Sequence, residues 1–238
     1  MDTFSHIPGN IAKLKAEIAE AAVNAGRDPA TITLVAVSKT YPAAAVEAAV
    51  RSGLADAGEN RVQEAVPKIG EVAELTGDRA LRWHLIGHLQ SNKAKQAVQN
   101  FDLIHSVDSE RLAQEINKHA EVAGKKMSIL IQVNVSGEGT KSGFSIGEVK
   151  PAVEQILEEC PSVMIRGFMT MAPLDAPEKA RPVFKGLREL RDKLVLEISH
   201  PQFAPTELSM GMSNDYGVAI EEGATLLRIG TAIFGRRD

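Results

Sequence analysis

The residue with the sharpest chemical meaning is Lys39, which directly follows the apolar run Leu34-Val35-Ala36-Val37. An amine at the end of a buried strand is partly desolvated, and desolvation favours its neutral form. A neutral amine is the nucleophile that condenses with an aldehyde or ketone. The alternative is a rim lysine that snorkels to solvent or pairs with Glu59. Two later segments suit an anion. Ser209-Met210-Gly211-Met212-Ser213 sets glycine between hydroxyl residues just ahead of a helix expected near Asn214, and Ile229-Gly230-Thr231 offers a second turn. Free backbone N–H groups at such turns and helix starts bind phosphate. The two turns together, after the seventh and eighth strands, read as readily as a phosphate site as they do as two ordinary capped turns.

Other patterns carry less. Gly137-Glu138-Gly139-Thr140-Lys141-Ser142 resembles a phosphate-binding P-loop but lacks its spacing. His84 and His88 are four apart with Gly87 between them, so they are not expected to face one metal. Cys160, the single cysteine, precedes Pro161 and reads as packing. Glu158-Glu159 and Glu221-Glu222 read as solvated helix faces.

The elements that must position these residues alternate. Short apolar runs predict strands at 31–37, 54–57, 82–86, 102–105, 127–133, 163–167, 206–209 and 226–229. Helical spacing appears between them. Ile7, Ile11, Leu14 and Ile18 line one face of an N-terminal helix. Val62, Val66 and Ile69 do so after the second strand, and Leu112, Ile116 and Ala120 after the fourth. Val149, Val153, Ile156 and Cys160 follow the fifth strand, and Val183, Leu187, Leu190 and Leu194 the sixth. Asp175 is the expected cap of that last helix, with Pro177 in its first turn. Eight strands alternating with helices predict an α/β fold, a single (β/α)8 TIM barrel over residues 1–238. The extra N-terminal helix is expected to stand in for a missing last one. In such a barrel the loops after the strands carry the chemistry. Those loops here include Asn60 and Met171, while His84 and Arg228 lie in the third and eighth strands.

Composition sets the outer bounds. The chain has 238 residues, of which 44% are hydrophobic and 24% charged, so a sizeable core is available. The 27 basic and 31 acidic side chains leave a net charge of −4, too mild for nucleic-acid binding by bulk attraction. One cysteine permits no internal disulfide. No membrane span or secretory signal is visible, and a cytoplasmic home is expected.

Read in order, several motifs belong together. They are Val37-Ser38-Lys39, Gly58-Glu59-Asn60-Arg61-Val62-Gln63-Glu64, His84-Leu85-Ile86-Gly87-His88-Leu89-Gln90-Ser91-Asn92-Lys93 and His105-Ser106-Val107-Asp108-Ser109. Gln132-Val133-Asn134, Leu208-Ser209-Met210-Gly211-Met212-Ser213 and Arg228-Ile229-Gly230-Thr231-Ala232-Ile233-Phe234-Gly235 complete the set. Together they resemble the pyridoxal phosphate homeostasis proteins over nearly the whole chain. The resemblance implies a barrel like the N-terminal domain of alanine racemase. It implies pyridoxal 5′-phosphate held as a Schiff base on Lys39. It places Ser209, Gly230 and Thr231 at the phosphate with Ser213 as an addition, and Arg228 at the pyridine nitrogen. Asn60, His84 and Met171 fall near the ring, and Lys141 reaches toward the same mouth. Arg61 stands where an aromatic is common in the family and Phe168 where leucine is common.

The implied arginine bears on catalysis. It can only donate, so the ring nitrogen opposite it stays unprotonated and the ring is a poorer electron sink. The expected role is therefore a carrier in intracellular vitamin B6 homeostasis and amino-acid balance, without strong catalysis of its own. Pyridoxal-phosphate-dependent apoenzymes are the expected recipients. A pyridoxal-phosphate-dependent amino-acid racemase or lyase of low activity is the alternative. Racemisation needs acid–base groups on both faces of the substrate, and the chain is expected to lack a second domain to supply one.

Overall fold

The computed structural model describes residues 3–77, 80–138, 142–173 and 175–235. The chain enters through α1 (Ile7–Asn24) and then alternates as the sequence predicts. The first half runs β1 (Thr33–Val37), α2 (Ala43–Arg51), β2 (Asp56–Glu59), α3 (Val62–Thr76), β3 (Arg82–Leu85), α4 (Ala94–Asn100), β4 (Leu103–Val107) and α5 (Glu110–Val122). The second half runs β5 (Met127–Asn134), β6 (Phe144–Ser145), α6 (Ile146–Glu159), β7 (Val163–Met169), α7 (Pro177–Glu197), β8 (Phe203–Ser209), α8 (Tyr216–Glu221), β9 (Leu226–Ile229) and α9 (Thr231–Phe234). Every strand pairing is parallel. β1 to β5 pair in sequence, β5 pairs β7, β7 pairs β8, β8 pairs β9, and β9 pairs β1. The ring is a closed eight-stranded TIM barrel, and the two-residue β6 is a spur on β5.

Alternation along the strands divides the core. Leu34, Ala36, Leu227 and Ile229 point outward and join the large cluster beneath the helices. Val35, Leu103, Leu130, Met169 and Leu226 form a small second cluster inside the barrel. Buried polar side chains, Asp56, His84, His105, Ser209 and Arg228, share the barrel interior with that cluster.

The ring of helices has a short member. α9 is a single turn, so one side of the barrel would lie open. α1 fills it by packing on α2, α8 and α9. His6 Nε2 bonds the Phe234 carbonyl at 3.1 Å and Asn10 donates to the Ile233 carbonyl at 2.9 Å, satisfying the end of that last turn. The apolar stripe Ile7, Ile11, Leu14 and Ile18 is buried as expected.

Several details differ from the sequence reading, three of them in how side chains are placed. α3 buries Val62, Ala65, Lys68 and Val72, with the expected Val66 and Ile69 packed part-buried against the core beside them, so Lys68 also turns inward. The cap position of α7 is Ala176, one residue after Asp175, whose carboxylate instead accepts from the Ala176 N–H and pairs with Lys179. Glu222 is not a solvated residue. It is buried and paired with both Arg181 and Arg188.

Gly167 in β7 shows how tightly the barrel wall is set. Its φ is +153° and a Cβ there would overlap the Glu207 carbonyl oxygen on β8. Gly167→Ala must part the two strands, and a loss of at least about 2 kcal/mol is expected in urea unfolding.

Candidate functional site

The mouth is built first at the end of β1. Ser38, Lys39, Thr40 and Tyr41 form a tight turn closed by the Tyr41 N–H donating to the Ser38 carbonyl at 3.0 Å. Thr40 sits at φ +68°, a left-handed conformation that costs a β-branched residue on the order of 1–3 kcal/mol. The surroundings hold it there. Ser38 is fully buried and donates to Glu59 Oε1 at 2.7 Å. Lys68 reaches in from α3 to bond the Ser38 carbonyl at 2.9 Å and Glu59 Oε1 at 2.6 Å. On the other flank the Tyr41 ring stacks on Phe234 of α9 at 4.8 Å, and its hydroxyl donates to the Gly235 carbonyl. The turn thus presents Lys39 half-buried, with no hydrogen bond or ion pair to its amine among the described residues. Glu59 is taken by Lys68 and Ser38, so the alternative pairing of Lys39 with Glu59 does not form.

The turns expected to take an anion lie across the β1–β9 seam. Ala36 registers with Ile229, and the next residue, Gly230, sits so close to Val37 that a Cβ would meet the Val37 carbonyl oxygen at 3.2 Å. Thr231 opens α9 and is exposed. The first N–H groups of that turn have no acceptor within the helix. The loop after β8 is folded onto the same place. Gly211 takes φ +93° and its carbonyl accepts the Arg228 N–H at 3.0 Å. Met212 donates its N–H to Asp215 Oδ1 at 2.6 Å, and Ser213 is half-buried in this loop after β8. The helix expected near Asn214 begins at Tyr216, two residues later.

Beneath the mouth a line of polar side chains crosses the barrel. Arg228 on β9 is buried and donates to Ser209 Oγ at 2.6 Å and to the Thr170 carbonyl at 2.9 Å. Ser209 Oγ is 2.8 Å from His105 Nδ1. His105 Nε2 is 2.9 Å from His84 Nδ1, and His84 Nε2 is 2.9 Å from Asp56 Oδ1. Arg82, partly exposed, closes the line with an ion pair to Asp56 at 2.8 Å. Burial pushes the Asp56 carboxyl up, but hydrogen bonds from His84 and Arg82 outweigh it and hold the group below its ordinary value. Burial, reinforced by the charges of His84 and Arg228, holds His105 well below the usual imidazole range. Burial lowers Arg228 to about 10 against the pull of Asp215, so it remains a cation at neutral pH.

The structure therefore gathers Lys39, Arg228, Ser213, Gly230 and Thr231 around one mouth. Ser209 has no exposed surface, and both ring nitrogens of His84 are engaged inside the barrel. Asn60 is half-buried after β2 with its backbone pressed against Gly87, and Met171 is exposed after β7. Lys141 lies outside the described residues. Sequence reasoning missed Asp56, Lys68 and His105. His105 shares its side of β4 with Leu103, so strand alternation was the signal for it. Clefts of about 440 and 300 Å³ lie elsewhere. The first is beside the mouth and lined by Arg61, His88 and Lys93, and the second is at the barrel's base and touches Asp56. Arg61 points to solvent and pairs with Glu64, while Phe168 is fully buried edge-on to Phe203.

The closed parallel barrel, with an amine that has no partner among the described residues at one rim, is of the alanine racemase N-terminal type. The family model described as alanine racemase, N-terminal domain, matches residues 10–238. A pyridoxal phosphate homeostasis protein of Pseudomonas aeruginosa is 45% identical over 236 residues, 99% of this chain and 97% of its own. The solved structure of PipY from Synechococcus elongatus with PLP bound shares 40% identity and a TM-score of 0.79, covering 92% of this chain and 100% of that one. A Clostridium difficile alanine racemase is 15% identical with a TM-score of 0.68 over 94% of this chain and 56% of its own, a likeness of fold alone. The chain belongs to the family of pyridoxal phosphate homeostasis proteins.

Two outcomes are expected from the buried groups. Lys68→Met leaves the Glu59 carboxylate buried without its cation, and urea unfolding should show a loss of about 3–5 kcal/mol. Glu59→Leu added to Lys68→Met should recover most of it. The second outcome concerns pH. The folded values of His105 and Asp56 both lie below their unfolded ones, about 6.5 and 3.9. Their stabilisation is complete above those unfolded values and is lost as pH falls. The urea midpoint should drop between pH 7.5 and 5 and again below pH 4, and His105→Gln should flatten the first drop.

Proposed function

We propose that this chain binds pyridoxal 5′-phosphate reversibly at the barrel mouth and acts as its carrier in vitamin B6 homeostasis and amino-acid balance. The observation that carries this reading is the unpaired amine of Lys39 beside an anion corner on the same strand seam. Among relatives, PipY is described with PLP bound, and those named pyridoxal phosphate homeostasis protein span nearly the whole chain.

The residues fit the group. A phosphate monoester calls for several donors at one point. The hydroxyls of Ser213 and Thr231 and the free N–H groups opening α9 supply them, with Gly230 letting the backbone approach. A pyridine nitrogen calls for one partner, and Arg228 is a fixed donor with no acceptor. When bound, pyridoxal phosphate supplies an electrophilic aldehyde carbon and an electron-accepting ring. Lys39 Nζ is the nucleophile held toward that carbon. Asn60 and Met171 would border the ring.

The chemistry of Arg228 favours holding over turnover. A donor facing the ring nitrogen keeps that nitrogen unprotonated, and an unprotonated ring draws electrons poorly. The residues therefore hold and orient the cofactor without driving strong carbanion chemistry. The reading extends to a cytoplasmic role, with pyridoxal-phosphate-dependent apoenzymes as recipients. Among the described residues no helix is long and apolar enough to cross a membrane.

Purified protein incubated with pyridoxal phosphate should turn yellow. Borohydride should fix the label on the peptide that contains Lys39, and Lys39→Ala should lose both colour and label. Retained covalent labelling in Lys39→Ala would overturn the assignment.

A further inference from the structure

The protons of the buried line from Arg228 to Asp56 can be arranged in more than one self-consistent way, and the arrangements divide on whether Ser209 donates to His105 or accepts from it. In the first kind, His84 Nε2–H donates to Asp56, His105 Nε2–H donates to His84 Nδ1, and the Ser209 hydroxyl donates to His105 Nδ1. Each imidazole is then neutral, and Ser209 is left as a pure acceptor for Arg228. In the second kind, for example with His84 doubly protonated and both histidine bonds reversed, Ser209 accepts from His105 as well as from Arg228. The Ser209 O–H would then need another acceptor. Ser209 is fully buried, and its hydroxyl has only the two partners His105 and Arg228 among the described residues. Every arrangement of the second kind strands a buried donor, so the first is the native one.

We propose that Asp56, His84, His105 and Ser209 are positioning residues for Arg228: a hydrogen-bond chain of fixed direction that locks the guanidinium as a donor beneath the ligand mouth. The anionic Asp56 sets the direction, and each neutral imidazole passes it on. Ser209 spends its only proton inward and offers its oxygen to Arg228 NH1. The Thr170 carbonyl holds NH2. Two of the five N–H groups of Arg228 are thus pinned to the protein, leaving the guanidinium plane fixed relative to the mouth. Asp215, on the loop after β8, is the one further charge that acts on Arg228, and Arg82 the one on Asp56. The inference rests on the reading that Arg228 faces the ring nitrogen of pyridoxal phosphate.

The direction of the chain is testable without any variant. Nitrogen-15 spectra of the ligand-free protein at pH 7.5 should show His84 and His105 both neutral with the proton on Nε2. A proton on Nδ1 of either ring overturns the proposal. The effect on the ligand is read with pyridoxal phosphate itself. His105→Leu should weaken binding about tenfold, the effect of leaving a buried hydrogen-bonding partner unmet. It should also shift the visible band of the bound cofactor. His105→Gln, whose amide accepts from Ser209 and donates to His84, should restore both. If Arg228→Gln changes the band while His105→Leu leaves band and affinity untouched, the positioning role is wrong and the cofactor reading stands. If neither variant changes the band, Arg228 does not face the ring and the proposal falls with that placement.

Discussion

The structure depends on the seam where β9 pairs with β1. That pairing closes the barrel, and it also makes the site. Lys39 follows one strand of the seam and Gly230 the other, and Ala36 against Ile229 sets their separation. The close approach of Gly230 to Val37 leaves no tolerance for a slipped register. A slip of one residue would turn Arg228 out of the barrel and Leu227 into it. The interior line of hydrogen bonds would then lose its cationic end.

Burying that many polar groups is costly unless each is met. The barrel meets the cost by pairing groups across the ring rather than along a strand. Arg228 from β9, Ser209 from β8, His105 from β4, His84 from β3 and Asp56 from β2 each supply one link. Apolar residues inside the ring are few, so this line and the small cluster around Val35 and Leu130 share the work of filling it. A second buried pair, Glu59 with Lys68, braces the turn that carries Lys39 from outside the barrel wall. Glu59 Oε2 alone among the buried side-chain polar atoms described has no partner.

The fold was legible because its signals are local. Apolar runs and helical stripes located all eight barrel strands and five of the helices, and the motifs at strand ends located the mouth. What escaped depended on parity and rotation. The second strand was placed at 54–57, two residues early, which hid the inward turn of Asp56 at the true start of β2. His105 was read as a strand end, although β4 continues to Val107 and carries it inside. Lys68 sat one position off the stripe drawn through Val66 and Ile69, and a lysine on an apolar face looks like a solvated one until its carboxylate is known. Ser209 and Ser213 share one motif. Only the geometry separates the sealed Ser209 from the half-buried Ser213.

The sealing of the short last turn by His6 and Asn10 has a consequence for biogenesis. The elements that complete the mouth, α1 and β1 on one side and β9 and α9 on the other, are far apart in sequence. A ribosome extends the chain from its amino end, so β1 and α1 must wait for the intervening chain and β9 to be made. Until β9 emerges, the first strand exposes an unpaired edge and the nascent species has no place to hold a phosphorylated aldehyde. Under the proposed function, pyridoxal phosphate is held only once this seam has closed.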